Sequence, residues 1–139
     1  MDISRFVEKH KDSYQTALQE IKNGRKVSHW MWYIFPQIHG LGRSYTAQLY
    51  SIQSLEEAKA FLEDDYLGKN LVEISEVLLT LNTNNATEVF GFPDDMKLKS
   101  CMTLFAVVAG EDSVFQKVLD KYFGGQKDKL TIEILEKES

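Results

Sequence analysis

Apolar residues recur at every third or fourth position along most of this chain, and that spacing constrains the fold more than any other feature. It places them on one face of an α-helix, which is then buried against a neighbouring element. Alternation of apolar and polar residues, which would indicate a strand, never persists beyond a few positions. The pattern therefore predicts an all-α, compact bundle of about six to eight helices.

Start and stop signals divide this pattern into separate helices. The first stripe, from Phe6 to Ile21, ends at Asn23-Gly24, where glycine readily adopts the left-handed conformation that closes a helix. Ser54 and Asn85 are each followed three residues later by a glutamate, a capping box that opens a helix. The longest stripe predicts the central core helix: Leu67, Leu71, Ile74, Leu78 and Leu81.

Further helix starts are expected along the chain. Ser44 is expected to cap a short helix, and Pro93 to open another with two aspartates in its first turn, where the helix dipole favours negative charge. Asp112 is expected to cap a segment that ends at Gly124-Gly125, and a last helix to begin at about Lys127.

Length and composition set limits on the domain and its location. A chain of 139 residues, 43% of them hydrophobic, with no repeat or linker-like tract, predicts a single globular domain over residues 1–139. No apolar run is long enough to span a membrane, and the N-terminus lacks a signal-peptide pattern. Cys101, the single cysteine, fits a reducing compartment. We therefore expect a cytoplasmic protein without a membrane partner.

The charge pattern bears on the class of ligand. A net charge of −5 without a basic stripe argues against binding to duplex nucleic acid. The one basic cluster, Lys22 with Arg25-Lys26, has two interpretations. It is either a helix C-terminus, which favours cations, or a handle for an anionic ligand.

The segment between residues 28 and 44 combines dense aromatic packing with a Gly-x-Gly turn. It holds both tryptophans, one of the two prolines and two of the three histidines. Its aromatic run fits a buried strand or a short helix. We favour one or two helical turns with Ser28 as the N-cap, ending at Ile34, because Phe35 before Pro36 must leave the α region. An aromatic wall beside a tight turn suits a ligand pocket.

The run from His29 to Gln37, with Gly40-Leu41-Gly42-Arg43-Ser44 after it, carries the pattern HWMWxIFPQxxGLGxS. With this motif the chain resembles a bacterial domain family of unknown function, sometimes labelled calpastatin-like. Matching segments farther along, among them Phe90-Gly91 and Met102 to Phe105, extend the resemblance over nearly the whole chain. It implies an all-helical fold and brings no established activity.

A second resemblance concerns the class of ligand. Gly40-Leu41-Gly42 near tryptophan and the later Leu67-Gly68-Lys69-Asn70-Leu71 are similar to elements of the NAD- and ADP-ribose-associated domain family, in a permuted order. This resemblance implies a nucleotide-like ligand.

The first group of candidate site residues surrounds the Gly-x-Gly turn. His29 is the candidate general acid or base, although a histidine in an apolar segment also serves as a hydrogen-bonded core residue. Glycine amides can face an anion, and a guanidinium can hold phosphate or carboxylate. The candidate ligand-binding residues here are Gln37, Gly40, Gly42, Arg43 and Ser44.

The two tryptophans are further candidates for ligand binding. Trp30 and Trp32 point in different directions in either a helix or a strand. We expect one of them in the core and the other free to stack on a base or sugar. The alternative places both in the core.

A second group of polar residues lies on the predicted helix after Pro93. Lys97 and Ser100 share one face of it. Asp95 is either an ordinary first-turn acid or, if it approaches His29, the partner in proton transfer. No spacing of histidines suggests a metal site, and no cofactor is expected. Cys101, among apolar neighbours, is expected to stay a protonated core thiol.

Two functions of different classes follow from these residues. The first is binding of a small anionic, nucleotide-like ligand of the NAD or ADP-ribose type, with hydrolysis of an N-glycosidic or ADP-ribosyl bond by His29 and Asp95. The second is a non-catalytic protein–protein interaction domain, in which the aromatic segment is core and partner surface. The sequence leaves open whether the chain is an enzyme.

Overall fold

A computed structural model describes residues 2–138, and that range is helical, which confirms the all-α prediction. Its long helices are α1 (Ser4–Lys22), α4 (Leu55–Glu63), α5 (Leu67–Thr80), α7 (Asp94–Ala109), α8 (Val114–Phe123) and α9 (Lys129–Lys137). Three short helices lie between them: α2 (Met31–Ile34), α3 (Tyr45–Leu49) and α6 (Ala86–Phe90). The described range thus holds nine helices, slightly more than the expected six to eight.

The core is one hydrophobic cluster to which all the long helices contribute. Helix α7 is its centre, since every residue from Ser100 to Ala106 is buried. A helix buried all round needs neighbours on each side, and α4, α6, α8 and α9 all pack against α7. Helix α5 was expected to be central, but it keeps an exposed face that includes Lys69, Glu73 and Glu76. The Leu67 stripe therefore belongs to an amphipathic helix.

Most helix starts agree with the predicted caps. Ser44 and Ser54 accept hydrogen bonds from the amides of Ala47 and Glu57, both at 3.1 Å, as predicted. Two starts differ by one or two residues. Ser113, not its neighbour Asp112, caps α8, and Asp128 caps α9, which begins at Lys129. Adjacent residues with capping side chains compete, and the backbone geometry selects between them.

The aromatic run forms a single helical turn that ends at Ile34, as predicted. Ser28 is not its N-cap, because the helix starts after Trp30. Beyond Pro36 the chain becomes extended, and Ile38 forms an isolated parallel bridge with Ile52. This bridge joins the aromatic segment to the chain that follows α3.

His10 anchors this turn to the helical core. Asn70 of α5 donates to its Nδ1 (3.1 Å), which leaves Nε2 to donate to the carbonyl of Tyr33 at 2.8 Å. Burial lowers the pKa of His10 to about 4. His10 is thus a neutral imidazole that holds α1, α2 and α5 together.

Within residues 2–138, no helix is both long and apolar enough to cross a membrane.

Candidate functional site

The aromatic segment forms one wall of a cleft of about 600 Å³, here called the aromatic cleft. Helices α1, α2, α3 and α7 and the loop before α2 all supply residues to it. Its lining combines basic and aromatic side chains, among them Lys9, Lys26, Lys97, Trp32, Tyr33 and Tyr50. His29 and Ser44, both predicted site residues, line it as well.

Glu20 holds the loop that leads into this wall. Its carboxylate accepts hydrogen bonds from the amides of Val27 and Ser28, from the Ser28 hydroxyl and from the indole of Trp30, at 2.6–2.9 Å. Burial alone would favour the neutral acid, yet these four donors lower the pKa of Glu20 to about 2. Sequence reasoning missed this role, because nothing local marks one glutamate of α1 as different from the others.

The two tryptophans have separate environments, in line with the expectation of one in the core. Trp30 is 1% exposed, and its indole nitrogen is satisfied by Glu20 at 2.9 Å. Trp32 is partly exposed and lines the cleft. The ammonium group of Lys97 lies 4.1 Å from the centre of its ring, a cation–π contact. Trp32 is therefore the tryptophan whose ring is partly open to the cleft.

A carboxylate between two lysines sits at the base of the cleft. Asp94 accepts from Lys97 at 2.8 Å through one oxygen and pairs with Lys26 at 2.9 Å through the other. Although burial favours the neutral acid, the hydrogen bonds and charges of these lysines lower the pKa of Asp94 below its ordinary value. Asp94 thus fixes both ammonium groups in the cleft and stays ionised.

The structure does not bring Asp95 together with His29. Asp95 accepts from the hydroxyl of Thr87 at 2.6 Å and from the amide of Met96, and it does not line the cleft. Successive residues of a helix point about 100° apart, so Asp94 faces the cleft while Asp95 turns towards α6. The predicted carboxylate–imidazole pair is therefore not formed, and Asp94 supplies the acidic side chain of the cleft.

Other predicted site residues line a smaller cavity of about 270 Å³ on the other side of Trp32. Gln37 and Ser100 lie there, and Trp32 and Lys97 line both cavities. Several of the predicted ligand-binding residues are thus divided between two cavities. Their common wall is the Trp32–Lys97 pair.

The Gly-x-Gly turn has a packing role. A Cβ atom on Gly42 would lie 2.5 Å from the Cβ of Ala47 and 3.2 Å from the ring of Trp32, so only glycine fits there. Gly40 has a φ of +93°, which also favours glycine. Arg43 is exposed and lines neither cavity. The turn therefore positions Trp32, and neither glycine lines either cavity.

Metal and thiol chemistry find no support in the described part of the chain. No group of three or more His, Cys, Asp or Glu side chains within residues 2–138 is arranged to hold a metal ion. Cys101 is fully buried, and burial raises the pKa of its thiol well above the ordinary value. This cysteine is a core residue.

Comparisons with known proteins identify the family and the fold. The model of a family described as a protein of unknown function (DUF1810) matches residues 1–135. The chain is similar to a crystal structure of the conserved hypothetical protein Rv1873 from Mycobacterium tuberculosis, with a TM-score of 0.92. The two are 43% identical, over 97% of this chain and 96% of that one. No curated protein matches the chain. The resemblance to the ADP-ribose-associated family stays a prediction.

Proposed function

The chain belongs to the DUF1810 family of proteins of unknown function, and from the geometry of the aromatic cleft we propose that it binds a small anionic, nucleotide-like ligand. One observation carries the proposal. Among residues 2–138, the cleft lining holds three lysines against one aspartate, in a chain whose net charge is −5. Such a local reversal of charge concentrates anions where the rest of the surface repels them.

The aromatic lining supports a ligand with a ring. Trp32 offers part of its indole, and Tyr45, 80% exposed at the edge of the cleft, offers a free aromatic side chain. Stacking of a base on an aromatic side chain contributes about 1–3 kcal/mol. Lys97 stands against Trp32, so a charge and an aromatic surface are presented together. A nucleotide carries the complementary pair, a phosphate beside a base.

The proposal extends to hydrolysis of an N-glycosidic or ADP-ribosyl bond. His29 lines the cleft and is the side chain proposed to transfer the proton as water adds to the anomeric carbon and the bond to the leaving group breaks. Asp94 is not proposed for proton transfer, because Lys26 and Lys97 hold its carboxylate ionised and occupied. Asp95 is excluded from this step by its place outside the cleft.

Calorimetric titration with ADP, ADP-ribose and NAD tests the binding proposal. The wild-type protein should bind at least one of them, and Lys97→Ala should weaken that binding about tenfold or more, the usual effect of losing a charged hydrogen-bond donor. Lys99→Ala is the matched control, because Lys99 lies on α7 two residues after Lys97 and lines neither cavity. Absence of binding to all three ligands would refute the proposal.

Hydrolysis is tested separately by chromatographic detection of the released base or ADP-ribose. His29→Ala should keep the affinity measured for the wild type and abolish product release. Equal release by wild type and variant would remove His29 from the mechanism and leave the binding proposal intact.

Exposed apolar side chains favour a second function, the protein–protein interaction domain. Tyr45, Phe92, Met96 and Leu130 are 80%, 79%, 46% and 59% exposed, and Met96 and Leu130 line the smaller cavity. Large exposed apolar side chains near one another mark contact surfaces. Under this alternative, no nucleotide binds, and Met96→Ser with Leu130→Ser abolishes capture of the partner without a loss of stability.

A further inference from the structure

We propose that the smaller cavity behind Trp32, here called the amide pocket, binds a planar group with an amide-like edge, which is one end of the same ligand. The proposal rests on the proposed function, since that ligand places its anionic part in the aromatic cleft. The amide-like edge is a hydrogen-bond donor beside an acceptor, as in the amino group and ring nitrogen of adenine or in a primary carboxamide.

Gln37 is the observation that points to this chemistry. It is only 7% exposed and lines the amide pocket, and none of the side-chain hydrogen bonds described within residues 2–138 involves its amide. No fully buried side-chain nitrogen or oxygen in that range lacks a hydrogen-bond partner, so the Gln37 amide reaches the open space of the pocket. A nearly buried glutamine that directs its amide into a cavity presents a donor and an acceptor to whatever binds there.

The backbone on both sides of Gln37 is fixed. The carbonyl of Gln37 accepts from the amide of Ile52 at 2.9 Å, and the amide of His39 donates to the carbonyl of Ile52 at 2.9 Å. Pro36 precedes Gln37 and restricts the chain further. The main chain that carries the Gln37 side chain therefore needs no reordering when a ligand binds.

The chemistry of the pocket matches a planar amide-like group. A glutamine side chain presents a carbonyl acceptor beside an NH₂ donor, and this pair is complementary to the amino and ring-nitrogen edge of adenine. Ser100 adds an acceptor, because its hydroxyl donates to the carbonyl of Met96 at 3.2 Å and keeps its lone pairs free. Trp32 and Leu41 supply apolar walls for the faces of a ring.

The amide pocket is small and shares part of its lining with the aromatic cleft, so it forms one half of the proposed larger site. Its volume of about 270 Å³ is less than half that of the aromatic cleft, so it takes one ring rather than a whole nucleotide. Trp32 and Lys97 line both spaces. The planar ring is thus placed in the amide pocket and the phosphate on the lysines, with Trp32 between them.

Two matched ligand pairs test this assignment by calorimetry. ADP against inosine diphosphate changes the donor on the purine edge to an acceptor, and nicotinamide mononucleotide against nicotinic acid mononucleotide changes a carboxamide to a carboxylate. Within each pair the phosphates are the same. The wild type should prefer the amino or amide member of one pair by about tenfold or more. The pair that shows the preference identifies the ring.

Gln37→Leu removes the amide at similar volume. It should bring the ratio of the affinities for the two ligands of that pair close to one, while the part of the affinity that depends on the phosphates remains. Gln37→Glu, which keeps the shape but has no donor, serves as the second variant, and circular dichroism checks the fold of both. Binding of all four ligands without preference, or a preference that survives in both variants, would overturn the inference alone. Failure of all four to bind would overturn it together with the proposed function.

Discussion

The aromatic cleft and a larger cavity of the molecule carry opposite charge. That cavity, here called the acidic groove, measures about 750 Å³ and lies among α4, α5 and α8. Apolar residues including Leu62, Val72 and Phe115 line it together with five carboxylates and Lys69. The aromatic cleft is smaller and has an excess of lysines. By volume alone the groove would be the better ligand site, but it would repel the proposed anionic ligand, so charge favours the cleft for that proposal.

The two regions also differ in how their charges are assembled. The carboxylates of the groove are close in the chain: Glu63, Asp64, Asp65, Glu73 and Glu76. The lysines of the cleft come from α1, from the loop before α2 and from α7. A local cluster is visible in the sequence, whereas a cluster drawn from three segments appears only on folding. The net charge of −5 conceals this segregation.

Two crowded glycines, one in the groove and one packed against the Trp32 wall of the cleft, predict the largest effects. A Cβ on Gly68 of the groove would lie 1.9 Å from the carbonyl oxygen of Leu62, a backbone atom, whereas a Cβ on Gly42 would meet the side chains of Ala47 and Trp32. Gly68→Ala should lower the free energy of unfolding by roughly 3 kcal/mol, and Gly42→Ala by roughly 1–2 kcal/mol. Urea denaturation measures both.

The two glycine substitutions should also differ in their effect on ligand affinity. Gly42→Ala should also weaken nucleotide binding, because the new methyl group displaces Trp32. Gly68→Ala should leave the affinity of the folded fraction unchanged. The reverse pattern, with affinity lost only at Gly68, would assign the ligand to the acidic groove.

Acid should destabilise the protein through His10, which links the cleft to the helix that forms the groove. Its pKa is about 4 in the folded protein against 6.5 ordinarily. Between these values the unfolded chain binds a proton that the folded protein does not, so stability falls as the pH is lowered from 6.5 to 4. The fall should reach about 3 kcal/mol. His10→Gln should be less stable at pH 7 but should lack most of this slope in denaturation curves measured across the window. An equal slope in both proteins would contradict the assignment.

The smallest predicted effect concerns the charge of the cleft itself. Asp94→Asn frees the ammonium groups of Lys26 and Lys97 and should raise the affinity for ADP or ADP-ribose about fivefold at low salt, with less gain at high salt. Asp95→Asn is the control: Asp95 lies outside the cleft, so this substitution should leave the affinity unchanged. Weaker binding by Asp94→Asn would show that Asp94 contacts the ligand directly.

Much of the fold could be predicted from the sequence, because helices depend on contacts between residues three or four positions apart. The stripe from Phe6 to Ile21 and the cap at Ser54 are examples. The prediction of α5 as the central helix was wrong for a physical reason. Its leucine stripe is the regular pattern of a half-buried helix, whereas α7 is buried on every side from Ser100 to Ala106 and shows no regular stripe there.

The candidate site could be predicted only in part. Of the residues predicted near the Gly-x-Gly turn and on the helix after Pro93, His29, Trp32, Ser44 and Lys97 line the aromatic cleft, and Gln37 and Ser100 line the amide pocket. Their roles in binding stay predictions. Lys9, Asp94 and Glu20 were missed as site residues. Lys9 lies on α1, and which face of α1 meets the aromatic segment depends on packing against α2 and α5.

The sequence alone determined the helices, most of their caps and the position of the aromatic segment, because each depends on residues within about a turn of one another. Tertiary packing decided which tryptophan reaches the cleft, which of two adjacent aspartates faces the lysines, and which cavity is positive. Those outcomes depend on the angles at which α1, α2 and α7 meet. Such angles arise from the whole core, so no local pattern records them.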